Sequence, residues 1–112
     1  MIKDFTAFRK YFQEYRKLFG LTGYKIYFKY EPLDSFASIV INRKQMVATV
    51  RLNSQLEKED KLFKDIKLSA KHEALHLLVG RLEGNARYRY SSENEIYEAV
   101  EELVVKLGEL IK

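Results

Sequence analysis

Ala70-Lys71-His72-Glu73-Ala74-Leu75-His76-Leu77-Leu78 is the stretch on which a reading of this chain turns. It is an H-E-x-x-H motif inside an apolar run free of glycine and proline, so it reads as helix. Residues four apart on a helix stand one above the other, which points the imidazoles of His72 and His76 at one place and sets Glu73 beside them. Two imidazoles so placed are half of a zinc site. A catalytic zinc takes three protein ligands and leaves the fourth position to water, whose pKa it lowers to about 7. Glu73 is then the general base. The chain has only two histidines and no cysteine, so both of its strong nitrogen ligands fall in this motif and no thiolate competes for the metal.

The plainer alternative is that two histidines mark the polar margin of a packed helix. The neighbours argue against it. Leu75, Leu78, Val79 and Leu82 on one side, with Ala70, Ala74 and Leu77 on another, make the segment apolar nearly all round and place it at the centre of a fold. Half-buried polar groups there cost free energy unless they find a partner, and a metal ion supplies one.

The rest of the composition bounds the frame. At 112 residues the chain, 1–112, fits a single domain with a modest core. With 46% hydrophobic and 32% charged residues it has the balance of a soluble globular protein. The absence of cysteine excludes a disulfide framework and agrees with a reducing compartment. Met1-Ile2-Lys3-Asp4-Phe5 carries an acid early and opens no long apolar run, so neither signal peptide nor membrane span is expected, and a cytoplasmic location is. The net charge of +4 is compatible with nucleic acid, but the lysines and arginines are spread through every segment, as on a solvated surface. Abundant Lys, Glu and Arg without Cys also lean towards a thermophilic source.

In chain order, Phe5, Phe8, Phe12, Tyr15 and Phe19 recur at helical spacing and predict a helix from about Ile2 to Phe19, stopped by Gly20. From Tyr24 to Tyr30 the period becomes two, the mark of a half-buried strand, closed by Pro32. Phe36–Ile41 and Met46–Leu52 are β-prone and flank the polar turn Asn42-Arg43-Lys44-Gln45, hence an antiparallel hairpin. A polar connection with a short helical turn, anchored by Leu56, Leu62 and Phe63, leads to the motif helix, which should run from Phe63 or Ile66 to Leu82 and end near Gly84-Asn85. Arg87, Tyr88, Arg89 and Tyr90 form a basic and aromatic loop. Ser91 or Ser92 then caps a last helix reaching about Ile111, with Glu93 and Glu95 in its first turn. The fold class is α+β: an N-terminal helix, a three-stranded mainly antiparallel sheet, the motif helix and a C-terminal helix rich in glutamate.

A third zinc ligand has to come from outside the pair, and the last helix offers Glu93, Glu95, Glu98, Glu101 and Glu102. Helix geometry leaves two open. Glu98 faces away from the apolar stripe Ile96, Val100, Leu103 and Leu107, towards any open cleft, and has Glu102 one turn on, able to hold a ligand histidine by its free ring nitrogen. Glu101 lies on an apolar flank beside Tyr97, Val104 and Val105.

His72-Glu73-Ala74-Leu75-His76 followed by a glutamate-bearing helix resembles the gluzincin metallopeptidases, whose thermolysin-type branch carries Asn-Glu-x-x-Ser-Asp on that helix. Laid over Ile96-Tyr97-Glu98-Ala99-Val100-Glu101-Glu102-Leu103, the pattern matches Glu98 in the ligand and Glu102 in the later acid, and departs at Tyr97 and Glu101. It ranks Glu98 first, Glu101 second and Glu95 third. The order of elements and the short chain are similar to the minigluzincins, minimal versions of the fold. The resemblance implies a zinc peptidase with His72, His76 and Glu98 as ligands, Glu73 as base and Glu102 as the supporting acid. It also implies an edge strand that holds an extended peptide or protein substrate, for which Met46–Leu52 is the matching run. Tyr88, Tyr90 and Arg87 are the candidates for stabilising the oxyanion.

Minigluzincins are also known as latent proteins, so a zymogen is expected, with Gly108-Glu109-Leu110-Ile111-Lys112 lying over a cleft, its own or that of a second copy in a homodimer. The alternative for that tail is that Leu110 and Ile111 complete the core face of the last helix. Two rival functions stand beside peptide hydrolysis in general. One is a SprT-like or repressor-cleaving regulatory protease; the other is a zinc-stabilised binding domain without turnover.

Overall fold

An aromatic residue returns every three or four positions from Phe5 to Phe19, and in the computed structural model this stripe is the inner face of α1 (Ile2–Leu18). The structure describes residues 2–55, 65–87 and 92–112. Phe8 and Phe12 are fully buried and Tyr15 nearly so. Gly20 ends the helix at φ +73°, where its N–H reaches Lys17 O and that of Leu21 reaches Arg16 O, a Schellman closure that needs a left-handed residue.

Three strands follow: β1 (Lys25–Glu31), β2 (Ala37–Asn42) and β3 (Val47–Asn53). Their order is β1-β3-β2, with β1 parallel and β2 antiparallel to β3, so the sheet is mixed. The expected hairpin is there, but the run Met46–Leu52 is not an edge. It is the centre. Chain 32–36 carries β2 past the end of β3, and the Asn53 side chain grips it there, accepting from Leu33 N at 3.2 Å and donating to Leu33 O at 3.1 Å. Once β2 lies outside β3, its outer edge is unpaired among the described residues, as is that of β1 on the far side of the sheet.

The register aligns three apolar rows on one face: Ile26–Ala48–Ile41, Phe28–Val50–Ile39 and Tyr30–Leu52–Ala37. Ala48, Val50 and Leu52 are completely buried against the helices. Phe12 meets Phe28 edge-on at 5.6 Å, and Phe5 stacks on Tyr30 at 5.0 Å. These aromatic pairs add to area burial and lock α1 onto the sheet.

Asp65 caps the next helix, accepting from Leu68 N at 3.1 Å. That helix, α2 (Ile66–Leu78), packs on α1, on β2 and on the last helix. The expected single motif helix is in fact two, because the backbone turns at Val79 (φ −90°, ψ 3°) before α3 (Gly80–Ala86). Gly84 is therefore inside a helix rather than a stop. Leu78 and Leu82, expected in the core, are exposed. Ser92 opens α4 (Glu93–Leu110) with a capping box: its hydroxyl accepts from Glu95 N, and the Glu95 carboxylate accepts from Ser92 N. Ile96, Val100 and Val104 pack with Leu75 and Val79 in a second cluster that joins α4 to α2.

The C-terminal residues belong to the frame. Lys71 Nζ donates to Ile111 O, Tyr15 Oη donates to Lys112 O at 2.7 Å, and Ile111 packs against both clusters. The expected helical turn with Leu56, Leu62 and Phe63, together with Tyr88, Arg89, Tyr90 and Ser91, lies outside the described residues. Among the described residues no helix is long and apolar enough to cross a membrane.

Candidate metal centre and cleft

With α2 packed between α1 and α4, the side of the helix left uncovered is the one bearing His72 and His76. The two rings stand 4.9 Å apart by centroid, and their Nε2 atoms approach to 3.3 Å. From α4, Glu101 brings Oε1 to 2.8 Å from His76 Nε2 and Oε2 to 3.5 Å from His72 Nε2. The three donors lie within 4.8 Å of one another, the sole such group of metal-capable side chains among the described residues. Zinc bonds of about 2.0–2.1 Å in a tetrahedron set neighbouring donors about 3.3 Å apart. The donor set therefore suits zinc both in chemistry and in spacing.

Glu101 occupies the place that the family pattern offered to Glu98. Glu98 is exposed and does not join the donor group. The reason is angular. At about 100° per residue, Glu98 sits roughly 200° round the axis from Ile96 and Val100, whereas Glu101 is only about 60° from Val104. A ligand completing a site on α2 has to come from the flank where α4 packs on α2, and an outward glutamate cannot reach. Glu102 is exposed as well and pairs with Lys106 at 3.2 Å, so it is no support for a histidine. Glu95 is taken by the capping box.

Burial changes the proton affinities here. Desolvation, followed by the neighbouring His76, lowers the pKa of His72, with Glu101 pulling weakly the other way. The neutral imidazole is the metal-binding form. Glu73 is buried beside the pair, and desolvation together with the Glu101 charge raises its carboxyl to about 7.

These groups open into a cleft of about 530 Å³ between α2 and the free edge of β2, with residues 37–41 forming one wall. Arg87 lines it but is engaged with Glu83 at 3.8 Å and Glu93 at 3.7 Å. Two further lining residues carried no expectation. Tyr97 stands one turn before Glu101 on the same face and is largely exposed, a placement readable from the sequence once Glu101 is chosen. Arg43 comes from the β2–β3 turn, and its Nη1 donates to Gly80 O at 2.9 Å. No local pattern signals this, since it depends on the turn meeting α3. No residue of 108–112 lines the cleft, so the tail expected to cover the chain's own cleft is packed on α1 and α2 instead.

No protein-family model matches the chain, and no curated protein matches it. Among solved structures it is similar to the metallopeptidase zymogen jannalysin of Methanocaldococcus jannaschii, at 20% identity and a TM-score of 0.45, with 93% of this chain and 97% of that chain covered.

Proposed function

We propose that this chain is a zinc-dependent peptidase of the gluzincin kind, with His72, His76 and Glu101 as ligands and Glu73 as general base. The observation that carries the proposal is the convergence of two imidazole nitrogens and a carboxylate from a separate helix, with a buried glutamate beside them, in a cleft bordered by an unpaired strand edge. A zinc ion held there supplies a Lewis acid for a scissile carbonyl and lowers the pKa of a water to about 7. The chain's own groups do the rest.

The outer edge of β2 offers backbone N–H and C=O groups to an extended peptide, which would add to the sheet as a further strand across the cleft. Glu73, buried beside the donor group, is placed to carry the proton: a carboxylate oxygen takes the proton of the attacking water and delivers it to the leaving amide nitrogen. The Tyr97 hydroxyl is a donor from the cleft wall for charge developing on the carbonyl oxygen.

The test uses the full chain loaded with zinc. His76→Ala should lose stoichiometric metal by elemental analysis. Glu73→Gln should keep the metal and lose hydrolysis of an unstructured protein by at least about a hundredfold, as for other general bases. Metal retained by the histidine variant would remove the proposed centre. Metal bound without turnover in the parent chain would leave a zinc-stabilised binding domain in its place.

A further inference from the structure

We infer that Arg43 is a carboxylate-recognition residue of the cleft, and that the peptides bound there carry an acidic group a few residues from the scissile bond. The inference rests on the peptidase reading for its substrate but on separate side chains for its evidence. Arg43 follows the unpaired strand β2 directly, so a peptide lying along that edge would run past it.

Its guanidinium is held in place. One nitrogen donates to Gly80 O at 2.9 Å, and the group lies against the backbone of Gly84, where an added Cβ would fall 1.9–2.4 Å from its atoms. Gly84 is thus small because the arginine rests on it. A long cationic side chain fixed by a carbonyl and a bare helix surface has lost much of its rotamer freedom before any ligand arrives, which favours binding.

It is also unbalanced. Arg87, the other cation lining the cleft, faces Glu83 and Glu93, whereas among the described residues Arg43 has no carboxylate partner. Four guanidinium N–H groups remain beyond the one given to Gly80, enough for a forked pair with a carboxylate. Gly80 and Gly84 come four and eight residues after His76. At ~1.5 Å per helical residue up to the turn at Val79, the carbonyl partner Gly80 lies about 6 Å beyond His76, or roughly two residues of extended peptide. The carboxylate is either an Asp or Glu side chain at that distance or a peptide's own C-terminus.

The experiment separates this inference from turnover. Zinc-loaded Glu73→Gln protein is equilibrated with paired peptide pools identical except for Glu and Asp against Gln and Asn, each pool with free or amidated C-termini, and retained peptides are counted by mass spectrometry. Retention of acidic over amide peptides by about tenfold is expected from a charge-assisted pair. The ratio should fall towards one when Arg43→Gln is added, with Arg43→Lys in between. Enrichment that follows free C-termini identifies the terminal carboxylate, and enrichment in the amidated pools identifies a side chain.

A ratio near one in the parent both for acidic over amide side chains and for free over amidated C-termini, or a preference unchanged after Arg43→Gln, overturns the inference. If circular dichroism shows Arg43→Gln unfolded, Arg43→Lys decides: a reduced ratio supports the role and an undiminished one refutes it. Failure of the peptidase reading looks different, as wild-type protein that leaves every peptide intact while the acidic preference persists.

Discussion

The two sides of α2 were built from one sequence under opposite demands. On one, Ala70, Ala74 and Leu77 disappear into the cluster of Phe8, Phe12 and Tyr15, with small residues letting α1 come close. About 200° round the axis, His72 and His76 stand half-buried beside an open cleft, with Glu73 buried on the flank between. The dry side is where stability resides. The wet side holds polar groups at some cost to the metal-free fold, which a metal would offset.

The sharpest way to separate the two sides is a deletion in the dry one. Phe12→Ala should cost about 3–5 kcal/mol by urea melts, since it empties a fully buried aromatic site. Zinc affinity measured on the fraction still folded should stay as it was. An equal loss of affinity would show that the two sides are not independent.

On the wet side, the metal-free chain should carry a pH signature of Glu73. Its carboxyl is raised from 4.5 to about 7, so between these values the folded state keeps a proton that the unfolded state releases. Stability therefore falls as pH rises from about 4.5 to about 7 and stays lower above, by on the order of 3 kcal/mol. His72 acts in the other direction, since its lowered pKa withdraws stability as pH falls below about 6.5. The Glu73 contribution is thus read as the difference between parent and Glu73→Gln melts in chelator, and a difference independent of pH would contradict the burial argument.

Next comes the choice of ligand. Glu101→Ala should lower zinc affinity by more than about a hundredfold, beyond the ten- to hundredfold that supporting residues cost, and Glu98→Ala by less than about twofold. Competition titration with a chromophoric chelator measures both. The reverse order would return the ligand role to Glu98. The smallest effect is expected at Ser92, whose replacement by Ala should cost about 1 kcal/mol in thermal melts and leave zinc affinity unchanged, because the cap serves α4 and not the donors.

The difference between Glu98 and Glu101 shows where sequence reasoning met its limit. The four-residue pair Glu98 and Glu102 matches the gluzincin pattern, yet both face solvent, while Glu101 with its apolar surroundings ranks second by that pattern. An apolar surrounding was the useful sign, because a helix delivers a ligand to its neighbour only from beside the packed stripe. The strands teach the same lesson. Alternation in Tyr24–Tyr30 and in the hairpin was readable residue by residue, but the edge position of β2 follows from Asn53 holding Leu33 after the loop has crossed β3.

The sequence by itself determined what short-range periodicity can encode: the helical stripe of α1, the half-buried strands, the stop at Gly20, a serine cap at 91 or 92, and the stacking of His72 over His76, all of which depend on residues within a few positions of one another. Tertiary structure decided the rest. Which glutamate faces the histidines, which strand is left at the edge, why Gly84 is small and where Arg43 rests each depend on the docking of segments far apart in the chain. Their relative rotation and offset are set by the packing of α2 between α1 and α4, and no local pattern carries that information.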